Sequence, residues 1–197
     1  MIFKKKHKKK LSTMTWYDIT VDQYQRLKGL DFEDVADQIT AAEILLKINA
    51  DDMLWKDFCV KLNELNFLTE PIPRTIVRGS YELNGKKYNC MYNLQQMNVA
   101  RYMDFTNLIK TGDMVKILGV FLVPDGKEYG DYDIDQVYED IGTMSIVEAY
   151  GIFNFFKLQF IACTKTMKDY SVSLLKKDRK LMEVVSGIME SYSMLDL

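Results

Sequence analysis

The chain has 197 residues, 48% of them apolar, and a formal net charge of −2 at pH 7. That length and apolar content suit one soluble domain, and three prolines with ten glycines favour a mainly α fold. Three scattered cysteines without a C-x-x-C pair suggest neither a disulfide framework nor a zinc knuckle, and no run of about 18 uninterrupted apolar residues is present to span a membrane.

The positive charge is concentrated at the start of the chain. Six of the 26 basic residues fall in KKKHKKK, namely Lys4, Lys5, Lys6, Lys8, Lys9 and Lys10. The rest of the chain then has 20 basic against 28 acidic residues, a net charge near −8. We predict a flexible basic leader over residues 1–13 that contacts DNA or an acidic partner, or that remains a solvated arm. Residues 14–197 are predicted to form one mostly helical domain.

Three helices are predicted in the first third of the domain. Thr20 or Asp18 is a suitable N-cap for a helix that carries Tyr24 and Leu27 on one face. The segments DFEDVADQITAAEILLKIN and ADDMLWKDFCVKLNELNFL then repeat apolar residues at helical spacing, the second as far as Leu65.

A change of pattern follows at EPIPR, residues Glu70 to Arg74, where two prolines disfavour helix and mark a sub-boundary. Beyond it, TIVRGSYELNGKKYNCMYNL alternates apolar and polar residues around Asn84-Gly85, the dipeptide of a type I′ turn. We therefore predict a helical domain with one inserted β-hairpin, over residues about 75–93.

The second half returns to helix. MNVARYMDFTNLIKTG is predicted to end at Gly112, and DMVKILGVFLV to continue as helix until Pro124. A short helix over Ile134 to Ile141, a long one from Ser145 and an amphipathic one over roughly Lys180 to Met194 complete the pattern.

An acidic loop lies between these helices. Asp131, Asp133 and Asp135 occupy positions 1, 3 and 5 of an EF-hand-like loop, but Gln136 and Gly142 replace its required glycine and glutamate. We interpret the loop as a connector in which Asp133 caps the next helix.

Enzyme signatures are not found in the sequence. His7 is the sole histidine and lies among the lysines, which excludes a His-dependent triad, and no phosphate-binding or dinucleotide-binding glycine motif occurs. We expect a non-enzyme without metal or cofactor.

Aromatic side chains suggest a protein interface. Phe153 and Phe156 lie on a helix that is apolar on more than one face, which is typical of a bundle centre or an interface. The hairpin carries Tyr81, Tyr88 and Tyr92, where a neighbouring chain could add a strand.

Three segments stand out together: WYDITVDQYQRL, YELNGKKYNCMYNLQQMNVARYMDF, and ILGVFLVPDGKEYGDYDIDQVYEDI leading into SIVEAYGIFNFF. They resemble small virion or assembly proteins of tailed phages that infect Bacteroidetes, crAss-like phages included. The likeness covers most of residues 14–165, and some of these proteins are described as similar to tail-assembly chaperones.

The resemblance implies a non-enzymatic protein that contacts other phage structural proteins, in several copies, inside the virion or in the host cytoplasm during assembly. Three alternatives remain open: a tail-assembly chaperone that is absent from the mature particle, a DNA-binding accessory protein that uses the lysine leader, and an enzyme with an acidic metal site at Asp131, Asp133 and Asp135.

Overall fold

The computed structural model describes residues 14–94 and 97–175, with side chains up to Ala162 and at Lys165. Within these residues the fold is mainly helical with a small antiparallel sheet, which confirms the predicted fold class. The helices are α1 (Val21–Leu27), α2 (Val35–Leu46), α3 (Trp55–Leu62), α4 (Val99–Leu108), α5 (Met114–Phe121), α6 (Ile134–Gly142) and α7 (Ile146–Leu175). The strands are β1 (Ser80–Leu83), β2 (Lys86–Cys90) and β3 (Leu122–Pro124). The basic leader and the helix predicted over 180–194 lie outside the described residues.

The start of the domain is attached to the start of α7. Thr20 caps α1 through a capping box: its hydroxyl accepts from the amide of Gln23, whose side chain accepts from the amide of Thr20. The amide of Val21 donates to the carbonyl of Met144 at 2.9 Å, and the amide of Ile146 donates to that of Ile19 at 2.8 Å. These bonds hold two chain segments together that are far apart in sequence.

Helix α5 is the centre of the core. Every residue of it except Lys116 is buried, because the sequence MVKILGVF is apolar nearly all round. It packs against α1, α4, α6 and α7. At its end the ring of Phe121 stacks on Phe156 of α7, with ring centroids 3.6 Å apart. Tertiary packing around α5 therefore joins the two halves of the chain.

The hairpin forms as predicted, with a third strand that the sequence pattern did not indicate. The strand order is β1-β2-β3, and β2 pairs with β3 from Tyr88 opposite Pro124 to Cys90 opposite Leu122. The helix predicted over DMVKILGVFLV is therefore two residues too long, because Leu122 and Val123 belong to β3. Because β2 offers a free edge beside Phe121, whose carbonyl accepts from the amide of Met91 at 3.0 Å, the chain becomes extended there.

The helix predicted to reach Leu65 ends earlier. Helix α3 stops at Leu62, and a tighter 3₁₀ helix covers Asn63–Thr69. The indole of Trp16 donates to the carbonyl of Glu70 at 3.0 Å, and its ring meets Phe67 edge to face. This contact with the N-terminal segment fixes the tighter turn before the prolines.

The hairpin turn gives a direct test of backbone conformation. Asn84 and Gly85 have φ angles of 48° and 74°, as a type I′ turn requires. Gly85→Ala is expected to lower the free energy of unfolding by about 1 kcal/mol, because alanine is strained at positive φ. Open space surrounds the position, so the effect is one of conformation. Urea unfolding measures it. Gly79→Ala, at a position without positive φ, is the control, and an equal loss in both variants would contradict the explanation.

Candidate functional site

A cavity of about 320 Å³ lies where the end of β2, the start of α4, β3 and the loop after β3 meet. Strand β2 and the chain that follows it supply one wall, and the turn into α4 supplies another. Its lining consists of Asn89, Cys90, Met91, Asn98, Arg101, Val123, Lys127, Glu128 and Tyr129. Apolar, amide and charged side chains therefore surround one space, and we call it the Arg101 cavity.

Arg101 is held rigidly in the wall of this cavity. It lies in the first turn of α4, where the side chain of the N-cap Asn98 accepts from its amide at 2.9 Å. Only 6% of its surface is exposed. Its Nε donates to the carbonyl of Val120, and the ring of Tyr129 lies over its guanidinium with Cζ 4.7 Å from the ring centroid. The guanidinium of Arg101 is thus fixed by α4, by the carbonyl of Val120 in the core and by Tyr129 in the loop after β3.

One nitrogen of that guanidinium has no acceptor. Nη2 of Arg101 is buried without a hydrogen-bond partner among the described residues. Burial lowers the pKa of Arg101, although arginine stays charged at neutral pH. The titratable side chains of Cys90 and Tyr129, which line the same cavity, do not balance the positive charge of Arg101. Burial raises the pKa of the Cys90 thiol to about 12 and raises that of the Tyr129 phenol, so both are neutral. The cavity therefore contains a buried cation that forms no ion pair within the described chain.

A second polar cluster joins the hairpin turn to α6. The carboxylate of Asp140 is 1% exposed and accepts four hydrogen bonds. The donors are Asn84 Nδ2 at 2.8 Å, Lys86 Nζ at 2.9 Å, Tyr88 Oη at 2.5 Å and Gln136 Nε2 at 3.4 Å. A carboxylate satisfied by so many donors is bound firmly in its ionised form. We interpret this cluster as the joint that fixes the hairpin on the helical body.

The pKa of Asp140 agrees with this interpretation. Burial by itself raises the pKa of the carboxyl, but the hydrogen bonds from Tyr88, Asn84 and Lys86 together with the charge of Lys86 outweigh it and hold the pKa below its ordinary value. For Tyr88 the signs agree, since burial and donation to Asp140 both raise the pKa of the phenol. The phenol therefore stays protonated as a donor.

The structure corrects the placement of three aromatic residues predicted at an interface. Tyr81, Tyr88 and Phe156 are buried in the core, which leaves them no surface for a partner. Tyr88 also lies in β2, which is paired on both edges, so strand addition cannot occur there. Tyr92 and Phe153 remain partly accessible, and their role at an interface stays a prediction. The six leader lysines lie outside the described residues, so their contacts also stay a prediction.

The acidic loop runs from β3 to α6. Asp133 caps α6 as predicted, since its side chain accepts from the amides of Asp135 and Gln136. In the part of the chain that the structure describes, no three His, Cys, Asp or Glu side chains are grouped to hold a metal ion. Over the same residues, no helix combines the length and apolarity needed to cross a bilayer.

Sequence reasoning missed both Arg101 and Asp140, although each left a signal. Arg101 precedes the buried Phe105 by four residues, and Asp140 lies beside Ile141 and three residues after Val137. A charged residue on the apolar face of a helix is rarely buried without a partner. Searching apolar faces for single charges would have found both positions.

No family model, curated protein or solved structure matches the chain.

Proposed function

We propose that the protein is a non-enzymatic component of a tailed-phage virion, structural or packaged as cargo, that works through contacts with other phage structural proteins. The resemblance of three segments to such proteins supports the proposal. Those segments are also adjacent in space. The first forms α1, the second contains the hairpin and α4, and the third runs from α5 through β3 to α6; α5 packs against α1 and α4, and β3 pairs with the hairpin. A shared pattern in them would describe one packed body rather than separate motifs.

The observation that most directly supports contact with another protein is an apolar stripe on the long helix α7. Leu158 and Ile161 are 68% and 52% exposed, and Ala162 beside them is exposed as well. Spacings of three and four residues place all three on one side of the helix. Neighbouring large apolar side chains in water are typical of a protein contact surface. We call these residues the α7 stripe.

The earlier part of the same side of α7 is covered by the chain itself. Gly151 lies about two turns before Leu158 and packs closely against Thr75 of the segment before β1: a Cβ at Gly151 would lie 2.5 Å from the Thr75 methyl group. Arg78 pairs with Glu148 at 2.6 Å. This side of the helix is therefore covered there by the protein's own segment before β1. We infer that a neighbouring phage structural protein covers its continuation at the α7 stripe.

A charge placed in the α7 stripe tests this contact. Leu158→Lys is expected to reduce incorporation into purified particles by about tenfold, because a lysine cannot be desolvated cheaply in an apolar interface. Quantitative mass spectrometry of the particles measures incorporation, and thermal unfolding checks that the variant folds. The matched control is Val60→Lys on α3, where Val60 is 62% exposed. Equal incorporation of the wild type and both variants would overturn the assigned surface.

A further inference from the structure

We propose that the Arg101 cavity binds the carboxylate group of a ligand that has a small apolar body. The C-terminal residue of a peptide and a free organic acid share this chemistry. The inference goes beyond the proposed function and does not depend on it, because the cavity would bind such a group in a virion component and in a free assembly protein alike.

Burial of the Arg101 guanidinium without a paired anion costs free energy. A buried charge is tolerated when it is paired with an opposite charge and hydrogen-bonded. Arg101 has a carbonyl at Nε and an aromatic ring over its face, but Nη2 has no acceptor among the described residues. No ion pair of Arg101 occurs within them either. An anionic ligand in the cavity would balance the charge of Arg101.

The side chains that line the Arg101 cavity carry a net positive charge. Arg101 and Lys127 are positive, Glu128 is negative, and the remaining lining side chains are neutral at pH 7. The lining therefore has a net charge of one positive unit, which a single carboxylate balances. A phosphate dianion would exceed this charge and would face the carboxylate of Glu128 in the same wall. Charge thus favours a monoanion.

The Arg101 cavity is larger than a carboxylate group and is partly lined by apolar side chains. A volume of about 320 Å³ exceeds the needs of a carboxylate alone. Met91, Val123 and the ring of Tyr129 supply apolar lining beside the polar groups. Tyr129 is itself fixed, since its hydroxyl donates to Asp104 at 2.9 Å. A ligand with an aliphatic body and one carboxylate fills both parts of the space.

The side chain of Glu128 could occupy the Arg101 cavity in place of a ligand. It is exposed on the loop that lines the cavity and forms no ion pair within the described chain. If its side chain closed onto Arg101 in solution, the chain would supply its own anion. Glu128→Gln removes that charge with little change in shape. Under the proposal this variant binds a carboxylate ligand at least as tightly as the wild type does.

The experiment titrates the full chain with N-acetyl-leucine and with N-acetyl-leucinamide, which has the same body without the charge, each up to about 10 mM. Methyl NMR of the methionines reports binding, because Met91 lines the cavity whereas Met144 is buried in the core. Inorganic phosphate forms a third arm. A tripeptide that ends in leucine with a free carboxylate forms a fourth arm, which distinguishes a peptide terminus from a free acid.

We expect the Met91 methyl signal to shift with N-acetyl-leucine, with no shift at Met144 and about tenfold weaker binding of the amide. Tighter binding of the tripeptide would assign a protein C-terminus, and equal binding a free acid. Arg101→Met should abolish the shift, whereas Arg26→Met, at an exposed arginine of α1, should not. The wild-type titration needs no variant, so a failure of Arg101→Met to fold leaves the test intact.

Three results would overturn the proposal. The first is no shift at Met91 with any carboxylate. The second is tighter binding of phosphate than of carboxylate, which would assign a different ligand class. The third is binding in Glu128→Gln but not in the wild type, which would show that the chain's own carboxylate occupies the site.

Discussion

Replacement of Asp140 by alanine is expected to lower the free energy of unfolding by about 3 kcal/mol. The substitution removes the acceptor of four hydrogen bonds and leaves the Tyr88 hydroxyl buried without it. Lys86 is half-exposed and regains water, which keeps the loss below that of a fully buried ion pair. Urea unfolding at pH 7 measures the effect. Glu139→Ala, at the exposed neighbouring position, is the control and should change stability by less than about 0.5 kcal/mol.

The same carboxylate predicts a pH dependence with a definite sign. The pKa of Asp140 is lower in the folded protein than its ordinary value of 3.8. Its contribution is therefore complete above that ordinary value and is lost as pH falls toward the lower folded pKa. The stability difference between the wild type and Asp140→Asn should shrink below about pH 4. A difference that stays constant from pH 7 to about pH 3 would show that ionisation of Asp140 does not stabilise the fold.

Replacement of Phe156 by alanine is expected to cost about 3–5 kcal/mol of unfolding free energy. Its ring is 1% exposed and stacks on Phe121 at 3.6 Å with an interplanar angle of 7°. Removal opens a cavity at the junction of α5 and α7, where the two halves of the chain meet. Phe155→Ala, at a half-buried neighbour, is the control and should cost clearly less. Equal losses in the two variants would mean that this stack is not a centre of the core.

Local chemistry made much of the fold predictable. Asn84-Gly85 sets the hairpin because only a few residues accept positive φ angles, and Thr20, Asp133 and Gly112 set helix ends through caps and a left-handed turn. Each signal acts within four residues. A sequence without aligned relatives carries such signals in full.

The missed features depend on contacts between distant segments. Strand β3 forms because β2 offers it an edge, and those strands are more than thirty residues apart in sequence. Tyr81 and Tyr88 resemble surface residues of a hairpin, yet the sheet packs this face on the helical body and buries both. The Arg101 cavity likewise needs β2, α4 and the loop after β3 to meet. The spacing of apolar residues within one helix or strand does not predict contacts between elements that are distant in sequence.

We propose that this protein acts by contact inside a phage particle rather than by catalysis. Quantitative mass spectrometry of purified particles against the lysate of infected cells tests it most directly. We expect a fixed copy number per particle that survives extensive washing. Abundance in the lysate together with absence from the particles would contradict it and would identify a chaperone that leaves before assembly is complete.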